Sequence, residues 1–331
     1  MPFSIGLDVS KKHVDAVILL DKDGHKRRHK KFANSPEGAA QLIAWAQRHS
    51  GTEPKQWQVI MEATGPYHEA LALALALYQA GVAVSVLNPK RLKDFARGLG
   101  LKAKNDPLDA FAIARYGQLC QPQPWQPEPP EYRHLKALLS RLEALQTDRQ
   151  RERNRLEKAQ ATETSATVLA SLQRSLRFLD EEYQRLYQEI NDHINRHPKL
   201  KHDRQLLESI PGIGPVLSTQ MLALLYGGQR FESAPQFASY LGLIPTQHQS
   251  GSSINKKPHL SKLGPPRVRA KLYMAAIVAS GCNPDVKALY QRLLERGKCP
   301  MAALGASMRK LAQICFGVIK NQTPYQPQIT V

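Results

Sequence analysis

Four carboxylates in the first third of the chain lie at the ends of predicted elements, where they could bind a divalent cation. Asp8 lies inside an apolar run that predicts a buried strand, and Glu62 closes a second such run. Asp106 and Asp109 stand three residues apart, and Pro107 fits the first position of a helix, so both carboxylates can share one helical face. The acids therefore come from three separate elements.

Carboxylates gathered in one cleft repel one another unless a cation lies between them. Two unit charges about 4 Å apart repel by roughly 4 kcal/mol at an effective dielectric constant near 20. Hard divalent cations held by carboxylate oxygens remove that cost, and a pair of such ions can stabilise the attacking and leaving oxygens of a phosphoryl transfer. The sequence therefore predicts a Mg²⁺-dependent site that acts on nucleic acid. Its predicted ligands are Asp8, Glu62, Asp106 and Asp109.

A second interpretation of the helix pair is purely structural. Asp106 can be the N-cap, Pro107 the first helical residue and Asp109 a first-turn acid favoured by the helix dipole. For this pair alone, capping is the better prediction. Asp8, however, has no cap to make in mid-strand, and a buried acid without a partner is costly, which favours the metal site. Asp15 belongs to the next strand, and we expect it to be solvated.

An excess of positive charge points to a polyanionic partner. The 331 residues include 46 Lys and Arg against 28 Asp and Glu, a formal charge of +18. Residues 254–320 hold thirteen of the basic side chains against two acids. Six of these basic residues are predicted to contact nucleic-acid phosphates: Lys256, Lys257, Lys262, Arg267, Arg269 and Lys271.

The sequence predicts a cytoplasmic protein rather than a membrane-bound or secreted one. The longest unbroken apolar stretch, residues 70–78, is far below the roughly 20 residues that a membrane span needs, and no signal peptide opens the chain. Four scattered cysteines without CxxC spacing are typical of a reducing cytosol and argue against zinc. The length suffices for two or three domains.

The order of predicted elements indicates an α/β domain of the RNase H-like class at residues 1–120, because three meandering strands precede alternating helices and strands. Residues 121–132 are a proline-rich linker. Leucines at heptad spacing predict a helical coiled-coil arm at residues 133–200, either an intramolecular hairpin or an oligomerising segment. For residues 201–331 the sequence predicts a mostly helical C-terminal domain.

Two glycines of the C-terminal domain are candidate phosphate contacts. Gly212 and Gly214 lie between two apolar helices, a pattern typical of a helix-hairpin-helix, in which backbone amides at a helix start approach a phosphate. The same glycines could instead turn a tight corner in a helical bundle. The basic segment downstream favours the phosphate contact.

A polar loop, residues 243–254, carries Ser250 immediately before Gly251. Taken by itself, a serine in such a loop is expected to be solvated. The spacing does not indicate a serine-histidine-acid triad, since His248 is too close in sequence to be argued as a base.

Five short motifs follow one another along the chain and together resemble a known family. The motifs are Gly6-Leu7-Asp8, residues 61–65 (Met-Glu-Ala-Thr-Gly), residues 105–109 (Asn-Asp-Pro-Leu-Asp), residues 210–214 (Ile-Pro-Gly-Ile-Gly) and residues 249–253 (Gln-Ser-Gly-Ser-Ser). They resemble the DEDD transposases of the insertion-sequence one-ten class, which includes the eleven-eleven branch and whose members are bridge-RNA-guided recombinases. The resemblance extends from Ile5 to about Lys320.

The resemblance implies a RuvC-like catalytic domain, a coiled-coil arm and a C-terminal transposase domain with a serine loop. It implies that the four acids bind Mg²⁺ and that Ser250 is the nucleophile that forms a phosphoserine link to DNA. Pro265 and Pro266, which interrupt the basic stretch after the loop, depart from the pattern and leave Ser252 and Ser253 as alternatives.

The resemblance also implies partners. A structured non-coding guide RNA, the bridge RNA, would pair with donor and target DNA in the bacterial cytoplasm. A composite site, with the acids of one protomer and the serine of another, would require a homo-oligomer, a dimer or a tetramer. Two other functions remain compatible with the residues: a hydrolytic nuclease of the junction-resolvase type, and a non-catalytic nucleic-acid-binding protein.

Overall fold

The chain divides into two units, Met1–Pro127 and Glu128–Val331. The computed structural model describes residues 3–62, 74, 76–87, 89–100, 105–226, 231–250 and 254–328, without the side chains of residues 247–250 and 254–258. The division falls inside the predicted linker. Residues 122–125 of that linker pack on the first unit, where Pro122 accepts hydrogen bonds from Gln58 and Ser85.

The first unit is built on a five-stranded mixed sheet with the strand order β3-β2-β1-β4-β5. Strands β1, β2 and β3 form an antiparallel meander, whereas β4 and β5 run parallel to β1. This arrangement confirms the predicted RNase H-like sheet. The strands are β1 (Phe3–Val9), β2 (His13–Leu19), β3 (Arg27–Ala33), β4 (Trp57–Glu62) and β5 (Ala83–Leu87).

Helices cover both faces of this sheet. Ile5 and Leu7 of β1 share a core cluster with Leu42 and Trp45 of the first helix, whereas Ile60 of β4 belongs to a cluster on the opposite face. Side chains alternate along a strand, so the even-numbered residues of β1 face away from the first helix. The helices are α1 (Pro36–Ser50), α2 (described at residues 76–79), α3 (Pro89–Gly98) and α4 (Asp106–Cys120).

Helix α4 lies directly on strand β1 because the residues beneath it are small. A Cβ atom on Gly6 would stand 2.2 Å from the carbonyl oxygen of Ala110 and 2.3 Å from the amide nitrogen of Ala114. The Ser4 hydroxyl donates a 2.6 Å hydrogen bond to the Ala114 carbonyl. Ser4 therefore contacts the helix at Ala114, and Gly6, two residues later in the strand, also meets Ala110, one turn nearer the helix N-terminus. The N-terminal turn of α4 thus lies toward the end of β1 that carries Asp8.

The second unit is largely helical, as predicted, and its core is formed by side chains from most of its helices. A two-stranded antiparallel hairpin of β6 (Pro245–Ser250) and β7 (Ile254–Leu260) accompanies them. Its helices are α5 (Pro130–Ala161), α6 (Ala166–Arg196), α7 (Pro198–Glu208), α8 (Pro215–Leu225), α9 (Ala234–Tyr240), α10 (Pro266–Cys282), α11 (Pro284–Glu295) and α12 (Pro300–Asn321).

The predicted arm is an antiparallel hairpin of α5 and α6. The Arg149 guanidinium donates to Asp180 at 2.6 Å and lies over the Tyr183 ring at 4.4 Å. Nearer the base, His193 contacts the Glu131 carbonyl oxygen at 2.9 Å. The two helices therefore pair within one chain. Oligomerisation through the arm stays a prediction.

Helix α12 is long and apolar enough to cross a membrane by length and composition, although Arg309 and Lys310 interrupt its apolar residues. For that reason the helix contains no unbroken apolar run of membrane length. Leu311 and Cys315 are fully buried in the core of the second unit, and just over half of the apolar window is buried. Its apolar character therefore serves packing in this structure.

We expect Gly6→Ala to lower the free energy of unfolding of the first unit by about 1–3 kcal/mol, because the new methyl group would overlap backbone atoms of α4. All three tryptophans lie in this unit, so denaturant titration followed by tryptophan fluorescence measures its unfolding alone. Gly98→Ala is the matched control, since a Cβ there meets nothing within 4 Å. Equal stability of the two variants would contradict the close packing of α4 on β1.

Candidate active site

Acidic side chains form a row across the sheet. Asp8 of β1 is the cross-strand partner of Asp15 in β2, and Asp15 is the partner of Lys31 in β3. The parallel register of β1 and β4 carries Asp8 level with Glu62, where both strands approach their ends. Residues opposite one another in neighbouring strands share a face of the sheet. The fold thus places two of the four predicted acids side by side.

The N-terminus of α4 brings the other two acids. The Asn105 side chain caps this helix by accepting a 2.9 Å hydrogen bond from the Leu108 amide. The interpretation of Asp106 as the N-cap is therefore wrong, and Asp106 and Asp109 both lie in the first turn. Sequence reasoning missed the cap although asparagine is among the best N-cap residues.

The acids act on one another electrostatically. The pKa of Asp8 is raised to about 6, first because the carboxyl group is partly buried, and then because of the negative charges of Asp109, Asp106, Glu62 and Asp15, in that order. Burial and like charges both disfavour an ionised carboxylate. Asp8 therefore lies at the point where the fields of all the predicted acids converge.

The donor set fits a hard divalent cation in its chemistry, since Mg²⁺ prefers carboxylate oxygens. In the part of the chain that the structure describes, no three His, Cys, Asp or Glu side chains are close enough together to hold one ion. The arrangement is that of mutually repelling carboxylates gathered around Asp8.

Asp15 is not solvated, contrary to the sequence prediction. Only 6% of the residue is exposed, and its carboxylate contacts the His29 ring at 2.8 Å and the Lys31 ammonium at 3.4 Å. The reason is its register, which places it between Asp8 and the basic strand β3. Its position inside an apolar run, like that of Asp8, was the signal that could have revealed this burial.

Three of the predicted phosphate contacts are engaged within the second unit. Arg269 donates to the carbonyl oxygen of Gly264 at 2.7 Å and so anchors the segment before α10. Arg267 and Lys271 line a groove of about 870 Å³ and both lie near Glu143, at 3.3 and 3.9 Å. Burial lowers the pKa of Lys271. A phosphate reaching this groove would compete with the Glu143 carboxylate.

The two glycines of the predicted helix-hairpin-helix have different surroundings. Gly212 has a φ of +97°, and a Cβ there would lie 2.8 Å from the Ala279 Cβ, so this glycine permits close packing on α10. Gly214 is the N-cap of α8, and a Cβ there would meet nothing within 4 Å. Both glycines line the groove that Arg267 and Lys271 also line, and a phosphate contact at either glycine stays a prediction.

The predicted serine loop lies in a β-hairpin: residues 245–250 pair with residues 254–260 in antiparallel fashion. The sequence had predicted a loop without regular structure here. Ser250 is the last residue of β6 and pairs with Ile254. The side chains of Ser250, Lys256 and Lys257 lie outside the described part of the structure, as do residues 251–253 with the alternative serines. Lys262 is described and exposed.

We expect Asp8→Asn to stabilise the first unit in EDTA at about pH 7.5 by roughly 1–3 kcal/mol, because each pKa unit corresponds to about 1.4 kcal/mol. The folded chain has the higher Asp8 pKa, so ionisation costs stability as pH rises from about 4 to about 6 and the cost stays constant above. At about pH 4 and below the gain should vanish. Tryptophan-monitored denaturation measures it.

Asp23→Asn, at an exposed turn residue, is the matched control for this pH dependence. It removes the same charge without entering the acid row. A gain that is equally large in the control, or that persists undiminished at low pH, would contradict the electrostatic convergence on Asp8.

Comparison with known proteins agrees with this fold. A DEDD transposase model of the IS110 group, described as "Transposase", matches residues 5–162, and the model "Transposase IS116/IS110/IS902 family" matches residues 204–291. The first match covers the acid-bearing sheet from residue 5 onward and the whole of α5. The second covers the helix-hairpin-helix segment, the β-hairpin and α10.

Individual relatives extend the match to nearly the whole chain. The pilin gene-inverting protein of Moraxella bovis is 33% identical over 327 residues, 98% of each chain. The protein of that name from Moraxella lacunata is 32% identical over the same share. The transposase for insertion sequence element IS1111A from Coxiella burnetii is 29% identical over 39% of this chain and 36% of its own. The chain therefore belongs to the IS110/IS1111 family of DEDD transposases.

Proposed function

We propose that this transposase is an RNA-guided DNA recombinase in which the acids around Asp8 and the hydroxyl of Ser250 cleave and exchange DNA strands. The observation that carries the proposal is the raised pKa of Asp8, caused by burial and by four further acids from three other elements. A DNA phosphodiester bound there would need a divalent cation to offset this negative charge.

The acids Asp8, Glu62, Asp106 and Asp109 would hold that cation. When bound, Mg²⁺ supplies charge stabilisation for the phosphoryl transfer. Asp8 and Glu62 stand on the sheet, and Asp106 and Asp109 stand on α4, so the packing of α4 on β1 sets the separation of the two pairs. Preorganised ligands of this kind make the site sensitive to small shifts of the helix.

Ser250 would be the nucleophile. Its oxygen would attack the phosphorus of a DNA phosphodiester, its proton would leave to solvent or a nearby base, and one deoxyribose oxygen would depart with the cleaved strand. The phosphoserine ester conserves the bond energy, so a second deoxyribose hydroxyl can displace the serine without ATP. The family resemblance supports this role, and Ser252 and Ser253 are the alternatives.

Strand exchange rather than simple cleavage is supported by the relatives. Two of them are named for inverting pilin genes, and each matches 98% of this chain. Inversion requires paired cleavage and rejoining of DNA. A homo-oligomer, in which acids and serine come from different protomers, would supply several active sites to one DNA assembly.

A guide RNA would choose the DNA sequence, as the family resemblance implies. The formal charge of +18 supports a polyanionic partner but does not distinguish RNA from DNA. Base pairing would read the sequence, while the protein would contact backbone and shape, as in other guided systems. Lys262 and the glycines before α8, Gly212 and Gly214, are described candidates for such backbone contacts in the second unit. The predicted contacts Arg267, Arg269 and Lys271 are further candidates that would first have to exchange their present partners.

A serine nucleophile and a hydrolytic mechanism, in which water is the nucleophile, differ in one product: only the serine forms a covalent protein–DNA link. We expect wild-type protein, purified with its RNA, to become covalently linked to a nicked suicide DNA in Mg²⁺, and Ser250→Ala to lose the link by more than about 1000-fold. Denaturing electrophoresis of labelled DNA measures the link. Ser252→Ala and Ser253→Ala are the matched controls and should retain it.

Cleavage without any protein-linked DNA, retained by Ser250→Ala but lost by Asp8→Asn, would instead establish a hydrolytic nuclease. Cleavage unaffected by Asp8→Asn would remove the acids from the mechanism altogether. Loss of the link in one of the control variants alone would move the nucleophile to that serine.

A further inference from the structure

Strand β3 carries a basic patch that the proposed chemistry does not use. Its first five residues, 27–31, are Arg-Arg-His-Lys-Lys, and all five are exposed. The strand stands at the end of the described five-stranded sheet, beyond β2. The basic segment of the second unit is a separate feature, so this patch needs its own explanation.

Alternation along the strand divides the patch into two sides. Arg27, His29 and Lys31 face α4, because the Arg27 guanidinium lies 4.2 Å from the centre of the Phe111 ring and the other two contact Asp15. The Lys31 ammonium also lies 3.9 Å from the Asp106 carboxylate. The two even-numbered basic residues project to the opposite side.

The contacts on the acid-facing side hold the cations without neutralising all of them. The Arg27 guanidinium makes a cation–π contact with the Phe111 ring, and such a contact does not neutralise its charge, so its N–H groups can still bind a phosphate. Lys31 retains half of its side-chain exposure, and an ammonium has three donors. Because successive same-side residues are about 6.7 Å apart along a strand, the three side chains form a track of about 13 Å. The track ends beside Asp106.

Clustered carboxylates repel a polyanion, and a positive surface beside them offsets part of that repulsion in addition to any bound cation. We propose that the acid-facing side of β3, namely Arg27, His29 and Lys31, binds the backbone phosphates of the DNA strand that is cleaved and leads it to the acids. The identity of the ligand as DNA rests on the proposed function. Asp15, buried beneath the track, positions His29 and Lys31.

A different explanation for the patch is protection of an exposed sheet edge, since lysines on terminal strands prevent strand-to-strand association. That explanation predicts no difference between the two sides of β3 in DNA binding. The strand itself offers the comparison, because each side carries one arginine and one lysine.

The test compares two double variants with identical charge changes: Arg27→Gln with Lys31→Gln, and Arg28→Gln with Lys30→Gln. Affinity for a short fluorescent single-stranded DNA, its duplex and an RNA of the same sequence is measured by anisotropy in EDTA, between about 50 and 200 mM salt. For the acid-facing variant, the slope of log K against log salt should fall in magnitude by about 1.4 on single strands or about 1.8 on duplex.

The opposite-side variant should retain nearly the wild-type slope. Equal slopes for the two variants, or a loss confined to the RNA probe, would overturn the proposal. If the acid-facing double variant fails to fold, Lys31→Gln alone should reduce the slope by about 0.7 to 0.9. EDTA prevents metal-dependent cleavage, so this experiment measures DNA binding by β3 independently of whether Ser250 is the nucleophile. Wild-type protein that binds none of the probes would count against both the β3 proposal and the proposed function.

Discussion

The close contact between helix α4 and strand β1 is the constraint on which the acid site depends. Gly6 has no side chain, so the helix backbone lies where a Cβ atom would otherwise be, and the Ser4 hydroxyl bonds to the helix one turn further on. Asp8 follows two residues after Gly6 on the same side of the strand. The packing that buries the centre of α4 thereby brings Asp106 and Asp109, in the first turn of the helix, toward Asp8. Their negative charges contribute to the raised pKa of Asp8.

The fold of the first unit could be predicted from the sequence because four of its five described strands, all except the basic β3, are mainly apolar runs, and turn signals separate the first three strands. The helical arm was equally predictable from its leucine spacing, although that spacing left open whether the helices pair within one chain. The β6–β7 hairpin was missed because residues 245–260 are polar and lack the apolar alternation of a half-buried strand. The membrane-length helix α12 was missed because charged residues interrupt a segment that is apolar on average.

The acid site was predicted only in part, since spacing along a chain does not give cross-strand register. Asp8 and Glu62 were singled out as acids in apolar runs, and the register places them level. Asp15 was dismissed because its partners, His29 and Lys31, come from another strand. In the second unit, the sequence indicated basic residues but not their ion pairs with Glu143, which comes from a helix more than a hundred residues earlier.

The most direct test is anomalous X-ray diffraction from crystals of the protein bound to its nucleic acids and soaked with Mn²⁺. The account predicts a Mn²⁺ peak between the ends of β1 and β4 and the first turn of α4, with carboxylate oxygens of at least Asp8 and one α4 acid at coordination distance, roughly 2.0–2.3 Å. No peak at this place, with the four carboxylates separated while DNA is bound, would contradict it.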